Sequence, residues 1–255
     1  MKRINIEKLE NNIEQIALYD LERNNVFGCS YMVCQNGETV CKKHFGVSDW
    51  ENKTPVDDNT MFRIASMTKP IVAAAILNLV DRYVISLDTP IKSVLPKFHN
   101  IHIKSEKGED LGVSKIDMTI KHILTHTSGF GSLKEVNMTN VEKLTATKTV
   151  EHFLKEGLDF EPFSKEAYSL FASFDILALV LERVTGENFG DFIKREIFEP
   201  CNMDSTTFVP TENEWSRIID MHNRKKGTSG KNTVYKMPEG CIFEDFPATH
   251  KLAGA

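Results

Sequence analysis

The chain has 255 residues, ordinary shares of hydrophobic and charged residues (41% and 26%), and a formal net charge of -5. That balance excludes a general nucleic-acid binder, which needs a basic face, and the length admits one large core or two modest ones. No apolar run approaches the roughly 20 residues that a bilayer-crossing helix needs.

The first element reads as an amphipathic helix. Ile6, Leu9, Ile13 and Ile16 recur at helical spacing among Glu7, Lys8, Glu10, Asn11 and Glu14. This is not the pattern of a signal peptide, so the expected setting is cytoplasmic, with a removed leader left open. Residues 30–34 and 39–41 then flank Asn36-Gly37, a strong hairpin signal. A two-residue turn there pairs Met32 with Cys41 and leaves Cys34 diagonal to it. Diagonal neighbours lie about 7–8 Å apart, too far for an unstrained disulfide. The cysteines number five, an odd count, and reduced thiols are predicted.

An apolar helix is predicted over 71–80. Ile120, Ile123 and Leu124 share one helical face. A further helix is predicted over 174–184, with Gly186 as its C-cap, and another over 189–198, ending before Pro200. Residues 131–149 and 211–236 are polar and poorly periodic and read as loops or inserts. Residues 1–61 thus form a helix-and-hairpin part, and 62–255 a mainly helical part, of a single domain.

Chemistry concentrates at Phe62-Arg63-Ile64-Ala65-Ser66-Met67-Thr68-Lys69-Pro70. Ser66 and Lys69 are three apart, so a helix puts them on one face. A serine hydroxyl needs a base before it becomes a good nucleophile, and a lysine serves if burial disfavours its ammonium form. Pro70 fits only the first helical turn. Ser66 therefore lies at a helix N-terminus, where backbone N–H groups favour negative charge. Taken alone, a Ser-x-x-Lys tetrad is a weak signal and better fits a helix start with a capping serine and an exposed lysine.

The tetrad has company. Residues 62–70 resemble the first active-site motif of the serine β-lactamase and penicillin-binding protein family, in its esterase-like and carboxypeptidase-like branch. Ile85-Ser86-Leu87-Asp88-Thr89-Pro90-Ile91 is similar to the segment after that family's nucleophile helix. Thr119-Ile120-Lys121-His122-Ile123-Leu124-Thr125-His126-Thr127-Ser128-Gly129-Phe130 resembles a signature of the branch. Leu181-Glu182-Arg183-Val184-Thr185-Gly186 and Ile197-Phe198-Glu199-Pro200-Cys201-Asn202-Met203 resemble its later helices.

The resemblance implies an α/β (α+β) fold: a β-lactamase/transpeptidase-like sandwich of an antiparallel sheet flanked by helices, plus a mainly helical region. It implies catalytic roles for Ser66 as nucleophile, Lys69 as its activating partner and Tyr168 as proton shuttle. Tyr168-Ser169-Leu170 stands at the family's Tyr-x-Asn motif, with Leu170 in place of the asparagine and Phe163 where a glycine often precedes it. Leucine has no side-chain group to bond a substrate amide or orient Lys69. The third family motif, a Lys- or His-x-Gly strand, is not found. Lys225-Lys226-Gly227 has its letters but reads as a polar loop. The family continues past residue 255, so its C-terminal strands are expected to be missing here.

The implied activity is that of a serine hydrolase, acting through an acyl-enzyme on an ester, amide or lactam carbonyl. The alternative is a catalytically inactive fragment or a binding-only relative. The implied partner is a small-molecule or peptide-like substrate, with self-association where the sheet is incomplete. No cofactor and no metal are implied. His122 and His126 have the spacing of a helical zinc pair, but Ile123 stands where a zinc protease needs its glutamate base, so structural histidines are expected.

Overall fold

The computed structural model describes residues 4–131, 145–170, 172–227 and 230–236. These divide into two compact units, one of residues 4–63 with 210–236 and one of residues 64–209.

The first unit opens with α1 (Ile6–Glu22), whose first turn is capped by the Asn5 side chain accepting the Lys8 amide at 2.9 Å. Strands β1 (Gly28–Gln35) and β2 (Glu38–Gly46) pair antiparallel. Asn36 and Gly37, with φ of 54° and 83°, make the predicted tight turn. The register differs from the expected one. Cys34 faces Thr39 but Val33 faces Cys41, so one extra residue bulges out of β2. The bulge pairs Cys41 with Val33 instead of Met32. Cys41 is buried and Cys34 exposed, on opposite sides of the ribbon, and both thiols are free.

Residues 211–236 are not simply a loop. They hold α8 (Glu212–Trp215), closed by a reciprocal Thr211–Glu214 capping box, and a hairpin of β5 (His222–Lys225) and β6 (Thr233–Lys236). They group with the N-terminal elements rather than with the helices. Met61 bridges Ile218, and the Asn232 amide bonds the Arg23 carbonyl at 2.9 Å. Side chains join in as well, with Asn232 Nδ2 donating to Asn25 Oδ1 at 2.7 Å, and the short polar strands hid this hairpin in the sequence.

The second unit is built around α6 (Ala172–Thr185). Ala172, Phe174, Ile176, Leu177, Ala178, Val180 and Leu181 are all buried, a helix apolar nearly all round and therefore central. Around it pack α2 (Thr68–Asp81), α3 (Ile91–Val94), α4 (Ile120–Leu124), α5 (Ala146–Glu156) and α7 (Phe189–Ile193). Helix α2 presents Val72, Ala75, Ile76 and Leu79 to the core. The predicted helix over 189–198 runs as α7 followed by a π-helical turn, Lys194–Phe198, and Arg82 of the α2 C-cap pairs with Glu196 on that turn. Helix α5 starts at its Thr145 cap, inside the stretch expected to be loop. A short hairpin of β3 (His102–Lys104) and β4 (Asp110–Val113) completes the unit. Among the described residues no helix is long and apolar enough to cross a membrane.

Candidate active site

Ser66, Lys69 and Tyr168 come together in the second unit. Ser66 lies in a 3-10 turn, Ala65–Met67, that runs straight into α2. The serine is therefore one turn ahead of the α-helix proper, and Pro70 occupies the helix's third position, where an amide hydrogen has no partner to lose. Ala65 has φ of +43°, a left-handed conformation that costs a non-glycine residue about 1–3 kcal/mol. An alanine gives no sequence sign of this strain, which sits directly before Ser66.

Lys69 is only 5% exposed. Its Nζ donates to Ser66 Oγ at 3.1 Å and to the main-chain oxygen of Leu170 at 3.0 Å. It also lies 5.0 Å from the ring centre of Tyr168 and 5.4 Å from that of Phe174, where ring quadrupoles favour a cation. Leu170 thus orients Lys69 after all, through a carbonyl that any residue supplies, although its side chain has no polar atom.

Tyr168 is half exposed. Partial burial pushes its phenol up, but hydrogen bonds from Ser66 and Lys69, with the positive charge of Lys69, outweigh that and hold it below the ordinary value of 10. The phenol therefore gives up its proton more readily than a free tyrosine's.

A strap of residues 157–170 carries Tyr168, and main-chain bonds fasten it to the turn after α4. The Asp159 amide donates to the Gly129 carbonyl (2.9 Å), that of Phe163 to Thr127 (2.7 Å) and that of Ala167 to His126 (2.9 Å). Gly129 has φ of +94°, and a Cβ there lies 2.5 Å from the Phe160 oxygen, so only glycine fits. Phe163 replaces the expected glycine but keeps a glycine-like backbone, φ +68°, with its ring exposed.

The two histidines of the apparent zinc pair face this strap. The His122 ring packs 5.7 Å from that of Phe163, and the His126 ring 4.6 Å from that of Tyr168. Both Nδ1 atoms are spent as acceptors, on the Thr119 and Ser169 amides respectively, each at 3.2 Å. Burial, first of all, holds both imidazoles below the ordinary 6.5. Ser128 does more than close its local turn. Its hydroxyl, fully buried, meets that of Ser173 on α6 at 3.2 Å. A separate groove of about 570 Å³ runs along α6 and α7 past Glu182, Phe189, Asp191 and Phe208, and none of the three motif residues lines it.

Residues 13–241 match the family described as Beta-lactamase. Among curated proteins, the chain is 31% identical over 212 residues to esterase EstB of Burkholderia gladioli, covering 78% of this chain and 52% of that one. It is 27% identical over 197 residues to penicillin-binding protein 4* of Bacillus subtilis (strain 168), covering 75% and 40%. The chain thus spans about half the length of the curated relatives it matches. Among solved structures it resembles EstCE1, a hydrolase with promiscuous acyltransferase activity, with a TM-score of 0.77, 21% identity, and 99% of this chain and 69% of that one covered. It resembles the D-amino acid amidase of Ochrobactrum anthropi SV3 with a TM-score of 0.73, 24% identity, and 96% and 66% covered. These two likenesses establish the β-lactamase/transpeptidase fold.

Proposed function

Because this chain belongs to the β-lactamase family, we propose that it is a serine hydrolase that works through an acyl-enzyme, with an ester as its preferred substrate. The observation that carries the reading is Lys69, almost fully buried, bonded to Ser66 Oγ and held beside the phenol of Tyr168. A buried cation with no substrate-binding or catalytic task is an expensive ornament.

In this reading Ser66 Oγ attacks the carbonyl carbon of a small-molecule or peptide-like substrate. Its proton passes to Tyr168 acting as the phenolate, which becomes the neutral phenol, and Lys69 supports the negative charge on both oxygens. The carbonyl C–O bond to the leaving group breaks, the leaving group takes the proton back from Tyr168, and an ester on Ser66 remains. Water then attacks that ester, giving its proton to Tyr168, and Ser66 recovers its hydrogen as the acid departs. The preference for an ester is supported by Leu170, whose side chain offers nothing to a substrate amide, and by the esterase among the relatives. We also propose a reducing compartment, which Cys34 and Cys41 on opposite faces of their hairpin support.

A fluorophosphonate probe tests this. It is expected to label the chain and to spare Ser66→Ala. Labelling of both overturns Ser66 as nucleophile, and labelling of neither favours a binding-only protein.

A further inference from the structure

His126 is tied to the residues on both sides of Tyr168. Its main-chain oxygen accepts the Ala167 amide at 2.9 Å, and its Nδ1 accepts the Ser169 amide at 3.2 Å. The phenol ring lies against its imidazole, 4.6 Å between centres, and Phe174 of α6 backs the same imidazole at 5.7 Å. A ring nitrogen that accepts an amide hydrogen carries no hydrogen of its own, so this imidazole is neutral with its proton on Nε2.

We infer that His126 is the positioning residue for Tyr168, and that its uncharged imidazole keeps the phenol in reach of Ser66 and Lys69. The charged and titratable groups facing this ring are Lys69 from α2, and Glu166 and Tyr168 from the strap. Burial and the Lys69 charge oppose a second proton, and Glu166 favours it. A proton added at Nδ1 sets two donors face to face, the ring N–H and the Ser169 amide. The main chain at 168–169 then has to move, and the phenol leaves with it.

The phenol reports this directly. Its titration is read from phenolate absorbance, as the difference between the chain and its Tyr168→Phe variant. The unmodified chain is expected to titrate below 10. His126→Asn is expected to keep the low titration, because its side-chain oxygen can take the Ser169 amide and asparagine tolerates the φ of +55° found here. His126→Ala is expected to return the phenol to about 10. An Ala variant that titrates like the unmodified chain overturns the inference. So does nitrogen-15 spectroscopy of the unmodified chain if it finds the proton on Nδ1, a measurement that needs no variant to fold. The third arm rests on the acyl-transfer reading. Fluorophosphonate labelling is expected to fall as pH drops below 6.5, and His126→Asn is expected to lose that limb; its persistence counts against the inference. Should no form of the chain label, the hydrolase reading fails while the phenol and the nitrogen spectra still decide the role of His126.

Discussion

Lys69 donates to the main-chain oxygen of Leu170 at 3.0 Å. The lysine is thereby anchored by the backbone of the very residue whose side chain departs from the family pattern. Swapping that side chain leaves the anchor in place, so Leu170→Asn isolates what an amide group does for the substrate. One neutral hydrogen bond is worth about 0.5–1.5 kcal/mol, or roughly 2–10-fold in rate. The ratio of amide to ester turnover in Leu170→Asn is expected to rise by about that factor. Paired assays on an ester and the matching anilide measure it, and an unchanged ratio removes Leu170 from the account of substrate preference.

Tyr168→Phe removes the oxygen proposed to exchange a proton with Ser66 but keeps the ring against His126. General acid–base groups contribute about 10²–10⁴-fold, and kcat for ester hydrolysis is expected to fall by that much, with KM little changed. A loss confined to KM instead assigns the phenol to binding.

Lys69→Met removes the buried cation and keeps most of the packing. Arginine is no substitute, since its planar fork does not fit a site built for a compact ammonium. Fluorophosphonate labelling of Lys69→Met is expected to slow by about 10²–10³-fold. Its thermal unfolding is expected to shift little or upward, because an apolar replacement ends the cost of a buried charge. Scanning calorimetry beside the labelling rate separates a chemical role from a structural one.

Gly129→Ala places a methyl 2.5 Å from the Phe160 oxygen at a φ of +94°. Backbone strain of this kind costs about 1–3 kcal/mol. Urea unfolding is expected to register it, and the strap carrying Tyr168 is expected to gain amide exchange before the rest of the unit.

His122 accepts the Thr119 amide in the cap of α4 and titrates below its ordinary 6.5 because of burial, then Lys121, against the pull of Asp88. The folded chain therefore binds fewer protons than the unfolded one as pH falls through 6.5, and stability rises with pH across that window. The contribution is complete above 6.5 and is lost as pH falls towards the lowered value. His122→Gln preserves the cap without a titrating group. Its unfolding midpoint is expected to vary less between pH 5 and 7 than that of the unmodified chain.

The Ser66–Lys69 pair was legible because spacing and local helix geometry are enough to join them. Tyr168, about a hundred residues on, was legible only through the family likeness, since nothing in its neighbours marks a half-exposed phenol as chemical. Four features were hidden for physical reasons. The Leu170 carbonyl and the strap's amides are main-chain groups, identical for every sequence. The strain at Ala65 arises from a turn that alanine does not advertise. The bulge in β2 shifts Cys41 opposite Val33 through one inserted residue, which a turn signal at Asn36-Gly37 does not reveal. The hairpin β5–β6 was missed because its strands are too short and polar for alternation to show.

The strap is buttoned to its neighbour through peptide groups, and shape demands glycine at Gly129, Gly131 and Gly157. Outward-pointing residues such as Phe163 are therefore replaceable without displacing the phenol. In the proposed hydrolase, a lineage built on this arrangement can vary the outer face of the strap while the phenol stays still.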